Sequence, residues 1–330
     1  MRRVLYVAGA ALLLLGLPAL GATAADGDLA AWVEGQGGRV ARDAAGRVTG
    51  VNLRASWITD GDLERLGRAR GLRTIDLSLT RITDLGLEHL KPLAEVREIN
   101  LYYCEFVTDV GIARLKGWQK LERLNLRGTK ITDTSLEHLA SLPALAALDI
   151  GFTQITSNGI ELLGALPHLR ELAIGGNKIS GGALNGLKAL AGLARLDVNG
   201  QQRTDSGLWS VTVTDFDLDS VAGLTGLEAL DLGGTKITDL GVEKLKGLAR
   251  LRELGLSRTR VSDAALQAVA KLPELEKLSL WKDERITDAG VPALLAMKKL
   301  KALDVAETGM TAAGVEKLRR GMPGCEVFGK

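Results

Sequence analysis

One apolar pattern returns about every 24 residues, and that period constrains the fold more than any other feature of the 330-residue chain. Leu72, Ile75 and Leu77 recur as Leu121, Leu124 and Leu126, as Leu169, Leu172 and Ile174, and as Leu251, Leu254 and Leu256. A Thr follows, then Ile-Thr-Asp: Thr80 before Ile82, Thr83 and Asp84, and Thr235 before Ile237, Thr238 and Asp239. Apolar residues three apart come next, as at Leu87, Leu90 and Leu93. Copies open at 72, 96, 121, 145, 169, 193, 227, 251, 275 and 300. A degenerate copy begins at Val48, and Cys325 stands where a last strand would open.

Each copy reads as one coil. The Leu-x-Leu step has the period of a strand with one face inward, and the spacing of Leu87, Leu90 and Leu93 matches one face of a short helix. Thr83 or Asp84 suits the N-cap, because a side-chain oxygen there accepts from an unpaired backbone N–H of the first turn. No single coil can bury its own apolar face, so coils must stack. The expected architecture is an α/β solenoid of about eleven coils, a curved horseshoe with a parallel concave sheet and short convex helices.

Over residues 48–330 this pattern resembles the leucine-rich-repeat proteins. The Leu-x-x-Leu-x-Leu-x-x-Thr-x-Ile-Thr-Asp-x-Gly-Leu form is most similar to the cysteine-containing subtype, found in the substrate-recognition halves of F-box proteins and in many bacterial exported proteins. The chain departs from that subtype by placing Thr where Cys is frequent, with Cys there once, at Cys104, and no F-box segment precedes the repeats. The resemblance implies a non-enzymatic recognition scaffold, with a substrate receptor of the F-box kind as an alternative.

The two cysteines, Cys104 and Cys325, are about nine coils apart. At ~4.8 Å per strand that is ~43 Å, against the ~7 Å that a disulfide tolerates between Cα atoms. Both are expected to be buried thiols.

The N-terminus has the form of an export signal. Arg2 and Arg3 precede an apolar run from Val4 to Leu20, and Ala22-Thr23-Ala24 offers small residues at the cleavage positions, placing the cut after Ala24. The mature protein would then be periplasmic, cell-envelope or secreted, with no stable membrane insertion; an N-terminal membrane anchor is the alternative. Residues 25–47 read as an N-terminal cap with a short helix at Asp28–Glu34, Trp32 packed on the first coil, and a hairpin leading to Val48. The step from Leu193 to Leu227 is ten residues too long, which places an insertion at 201–210 containing Trp209. Such insertions form edge loops that can carry binding, or are tolerated surface loops.

The formal net charge is +2, and Arg2 and Arg3 account for it. The remainder lacks the basic footprint of a nucleic-acid binder. His89, His138 and His168 have no Cys or His at metal-ligand spacing and read as solvated. No nucleophile elbow, phosphate loop or dinucleotide fingerprint is present, so neither enzyme activity nor a cofactor or metal is expected.

The register assigns the concave face. Its central column carries Asn52, Asp76, Asn100, Asn125, Asp149, Asp197, Asp231 and Asp304, an acid and amide stripe flanked by Arg54, Arg123, Arg127, Arg195, Arg258, Lys277 and Lys282. Interleaved charges of this kind suit a solvated sheet face. Tyr102, Tyr103, Phe152 and Trp281 fall at strand ends on the same face, in a chain with only 4% aromatics. Aromatic and Arg side chains commonly dominate interface energies. The candidate binding residues are therefore Tyr102, Tyr103, Arg127, Phe152, Trp209, Arg258, Trp281 and Lys282, for a protein or peptide partner. A cell-envelope glycan stacking on the aromatics is the alternative, and local packing of bulges, from the one extra residue in the Tyr102 and Trp281 coils, is the bland account.

Overall fold

The computed structural model describes residues 23–179, 182–200 and 212–329. Thirteen described strands run in sequence order through one sheet. They are β1 (Arg39–Arg42), β2 (Val48–Asn52), β3 (Thr74–Asp76), β4 (Glu98–Asn100), β5 (Arg123–Asn125), β6 (Ala147–Asp149), β7 (Glu171–Ala173), β8 (Arg195–Asp197), β9 (Ala229–Asp231), β10 (Glu253–Gly255), β11 (Lys277–Ser279), β12 (Ala302–Asp304) and β13 (Glu326–Phe328). The β1–β2 pair is antiparallel and every later pair is parallel. Each strand from β2 to β12 is followed by a short helical segment, which makes eleven coils before β13 closes the array. The solenoid expected from the repeat is the observed fold.

The inward columns are filled as the period requires. Ile75, Leu77, Ile82, Leu87, Leu90 and Leu93 are all at or below 2% exposure, and the same slots are buried in later coils. Each such aliphatic side chain contributes about 1.5–3 kcal/mol through burial. Trp118 takes the slot of Leu93 and is completely buried.

A polar ladder locks one coil to the next. Asp60 accepts the amide and hydroxyl of Thr83, Asp84 those of Thr108, and Asp109 those of Thr132. The ladder continues with Asp133 on Thr156, resumes with Asp215 on Thr238 and ends with Asp288 on Thr311. The same carboxylates explain the Gly found in the first helical turn of the next coil at Gly86, Gly111, Gly241 and Gly290. A Cβ on Gly86 would lie 2.5 Å from Asp60 Oδ1 and 2.8 Å from Leu63. Where Ala265 stands in that slot, the helix starts only at Ala265, two residues later than the one at Asp239 or Asp84. Several convex segments are wholly or partly 3-10 rather than α, notably Ala183–Ala189.

Next to the longer step the ladder changes direction. Asp217, in the following coil, accepts from the backbone of Gly182 in the coil before it (2.6 Å), and Ser220 donates to Asn185 at 2.7 Å. The expected insertion at 201–210, with Trp209, lies outside the described residues.

At the N-terminal end, helix α1 (Ala24–Gly35) is longer than the span expected for it. It opens with Thr23 and Asp26 in a capping box. Trp32 packs against the core, with the Arg65 guanidinium 5.4 Å from its ring. The expected cleavage point after Ala24 falls inside the first turn of α1, while most of the expected signal, residues 1–22, is outside the described residues. No described helix is long and apolar enough to cross a membrane.

Cys104 is buried, with its thiol 3.1 Å from the carbonyl of Leu77 and its pKa pushed up to about 11 by burial. Cys325 departs from expectation: it precedes β13 and is only half-buried. Neither is in a disulfide.

Candidate binding surface

The central concave column is in register from Asn52 through Asp76, Asn100, Asn125 and Asp149 to Asp304. Its carboxylates and amides do not simply face water. Asp76 Oδ1 accepts from the Ser78 amide at 2.9 Å, Asn100 Oδ1 from Tyr102 at 3.0 Å, and Asp231 Oδ1 from Gly233 at 2.8 Å. Each is an Asx turn, the local side-chain-to-backbone bond that Asp and Asn make where a strand ends. The stripe is a turn device repeated in most coils, absent where Ala173, Gly255 and Ser279 stand in the column.

That turn leads to a column of left-handed residues. Leu79, Tyr103, Phe152, Arg258, Lys282 and Glu307 have φ between 53° and 61°, and Gly128, Gly176 and Gly234 take the place in other coils. A non-glycine residue there costs about 1–3 kcal/mol and persists only where its surroundings hold it. The hold is an amide bond to the next coil: Tyr103 to Arg127 O at 2.7 Å, Phe152 to Gly175 O at 2.9 Å, Arg258 to Trp281 O at 2.9 Å. Four of the eight candidate residues, Tyr103, Phe152, Arg258 and Lys282, sit in this column.

The aromatic positions are half-buried rather than solvent-facing. A Cβ on Gly128 would lie 2.8 Å from the Tyr103 ring, and one on Gly176 would lie 2.8 Å from the Phe152 ring. Each ring therefore lies over the glycine of the following coil. The extra residues of these coils are Glu105 and Glu284, which fall in the turn beyond the left-handed residue, so no strand bulge forms at Tyr102 or Trp281.

The described candidates form two groups. In the first, Tyr102 and Tyr103 meet edge to face at 4.6 Å, and the Arg54 guanidinium lies 5.7 Å from the Tyr102 ring. Arg127 lies 4.5 Å over Phe152 and runs along the sheet past Gly151 to Asp149 (3.5 Å) and Asp197 (3.9 Å). This reach crosses β6 and β7 because Ala173 and Gly175 leave the floor low. In the second, Trp281 Nε1 donates to Glu307 at 2.9 Å, and Lys282 pairs with Glu307 at 3.0 Å while lying 4.6 Å from the Trp281 ring. Arg258 joins it through the Trp281 carbonyl. Strands β7, β8 and β9 separate the groups.

Several charges on the concave face are paired with one another. Arg123 reaches Glu171 across Ala147, and Arg195 reaches Glu253 across Ala229. Burial pushes the Asp149 carboxyl up, with Arg127 opposing. Burial likewise raises Asp197 to about 7, aided by the neighbouring Asp231 charge and opposed by Arg127, although a third of its side chain stays accessible. Among the described residues no cluster of His, Cys, Asp or Glu is arranged to hold a metal. His89 and His138 are half-buried rather than solvated, and His168 is exposed.

Sequence reasoning passed over one exposed column, the residue just before each turn Ile or Val. It contains Trp57, 87% exposed, and Phe106, whose ring has Arg81 and Lys130 each 5.6 Å from its centre. Listing that column by register would have found both.

A leucine-rich-repeat family model matches residues 71–91, 119–140, 165–191 and 224–246. A crystal structure of an internalin from Listeria monocytogenes is similar over 96% of this chain and 92% of its own, at 19% identity and a TM-score of 0.60. An internalin C2 from the same organism is 23% identical, covering 77% of this chain and 93% of its own, with a TM-score of 0.45. No curated protein matches the sequence. The chain carries leucine-rich repeats and has the leucine-rich-repeat solenoid fold.

Proposed function

We propose that this solenoid is a non-enzymatic recognition scaffold whose concave face binds a protein or peptide partner. The observation that carries this reading is the strip formed by Arg54, Tyr102, Tyr103, Arg127 and Phe152. Its rings and guanidiniums are already held in place, over a floor of Gly151, Ala173 and Gly175. Pre-ordered aromatic and Arg side chains lose little freedom on binding, and such residues concentrate interface energy. The group at Arg258, Trp281 and Lys282 is the second contact in the proposal. Stacking of a neutral glycan on this face is less favoured, because one face of each of the Tyr103 and Phe152 rings is taken by the next coil.

We further propose that residues 1–24 direct export, supported by Arg2, Arg3 and the apolar run that follows. The binding proposal is tested by using the full chain as bait on an envelope extract, beside a Tyr102→Ala/Phe152→Ala variant. A protease-sensitive partner retained by the first and lost by the second is expected. Equal capture by both would sink the concave-face assignment.

A further inference from the structure

The edge of the solenoid where strands end differs electrostatically from the edge where they start. At the starting edge, several cations are paired coil to coil: Lys120 with Glu95 at 2.6 Å, Lys299 with Glu274 at 2.6 Å, Lys301 with Glu276 at 2.8 Å. At the other edge, one residue per coil stands before the buried turn Ile or Val. Besides Lys178, that column holds the five cations Arg81, Lys130, Lys236, Arg260 and Arg285, all exposed. None of these five has an ion pair among the described residues; Arg285 donates only to the Arg260 carbonyl. No acid stands in the column, though the added residues Glu105 and Glu284 lie beside it.

The column is a true ladder. The backbone amides of Lys130, Lys236 and Arg260 each bond to the turn residue of the coil before, at 2.9, 3.0 and 2.9 Å. Phe106 carries the array between Arg81 and Lys130, with both cations 5.6 Å from its ring. Trp57 opens the column, 87% exposed and with no side-chain partner among the described residues.

We propose that this edge binds an acidic polysaccharide, a chain of sugar rings each bearing one carboxylate. The warrant is spacing. Successive coils repeat at about 4.8 Å, one ring of an extended glycan advances the chain by a similar length, and because adjacent rings of a twofold chain turn opposite ways, the carboxylates of one face stand opposite every second coil. An extended acidic peptide presents same-face carboxylates about 6.7 Å apart, and loses register by about 2 Å per coil. Duplex nucleic acid spaces its phosphates at about 3.4 Å along a strand, and slips the opposite way. Lys236, Arg260 and Arg285, on three consecutive coils, form the densest part of the site, and Trp57 offers a flat apolar face to a terminal ring. This surface is separate from the concave strip and independent of the partner proposed for it.

The test is titration of the full chain with polygalacturonate at low salt, beside polyglutamate and a duplex oligonucleotide of similar charge. Polygalacturonate should bind at least tenfold more tightly than either. Lys236→Gln/Arg260→Gln/Arg285→Gln should weaken that binding at least tenfold, whereas Lys120→Gln/Lys299→Gln/Lys301→Gln should change it less than twofold. All six side chains are exposed, so both variants should keep the wild-type melting profile. Polyglutamate or the oligonucleotide binding as tightly as polygalacturonate would overturn the polymer class. Equal weakening by both triple variants would overturn the site, and absence of polygalacturonate binding would overturn the proposal outright.

Discussion

The carboxylate of Asp84 accepts both the amide and the hydroxyl of Thr108, one coil ahead, at 2.8 and 2.6 Å. Hydrogen bonds to a charged group contribute about 1.5–3 kcal/mol, and a partly buried amide left without its acceptor costs a similar amount. Asp84→Ala should therefore destabilise the chain by about 2–3 kcal/mol, and Thr108→Val, which keeps the amide bond, by about half that. Chemical denaturation measures both. Equal losses would mean that the hydroxyl carries the contact.

Gly111 is coupled to the same carboxylate, because a Cβ there would collide with Asp84 and lie 2.8 Å from Leu87. Gly111→Ala should cost about 1–3 kcal/mol as an overpacking change. Its cost should shrink by at least about 0.5 kcal/mol when Asp84 is already Ala, the size expected for residues in contact. A double-mutant cycle reads this directly, and additivity would refute the coupling.

Arg258 adopts φ 58° while its side chain is exposed. Arg258→Gly should relieve that strain, offset in part by the added freedom of glycine in the unfolded chain. The net expectation is a gain of about 0.5–1 kcal/mol in denaturant unfolding. A loss of stability would show that Arg258 is held by contacts beyond its backbone bond to Trp281.

The repeat was legible because Leu, Ile and Gly recur at fixed distances, and burial of one strand face leaves few folds open to such a period. The reason for Gly86 was not legible, since the carboxylate that excludes a side chain there belongs to Asp60, in the preceding coil. The site was legible only in part. Register placed Tyr103 and Phe152 on the concave face, but whether a strand-end ring stands free or lies down depends on the next coil, where Gly128 and Gly176 make room. Likewise Arg127 reaches Asp197, 70 positions away, only because the intervening coils present Gly151, Ala173 and Gly175. Such contacts depend on two coils at once, which a coil-by-coil reading does not join.

Asp197 has its carboxyl raised to about 7 by burial, with the Asp231 charge adding to the rise. The ordinary value in an unfolded chain is ~3.9. Between these values the folded state binds more protons than the unfolded state, so this group's contribution to stability falls as pH rises from about 4 to about 7 and is constant above. Asn serves the same turn at Asn100 and Asn125, so Asp197→Asn should keep the bond to the Asn199 amide. The melting temperature of Asp197→Asn relative to wild type should climb from pH 4 to pH 7 and then level off. A flat difference across that range would show that Asp197 titrates normally.

Arg127 opposes the rise at both Asp149 and Asp197, and only 16% of its side chain is exposed. Arg127→Ala leaves two carboxylates without their countercharge and uncovers the Phe152 ring. Losing a charge-assisted contact of this kind should cost about 2 kcal/mol at pH 8. Both carboxyls then move further up, so the extra protons of the folded state persist to higher pH and the cost should be smaller at pH 5, where protonation substitutes for the missing guanidinium. Arg127→Lys restores the charge without the planar group that stacks on Phe152. It should therefore recover the pH 8 loss in part while still weakening any partner held by the concave strip. Denaturant melts of both variants at pH 5 and 8 separate these effects. A loss in Arg127→Ala that is the same at both pH values would mean that the residue acts by packing alone.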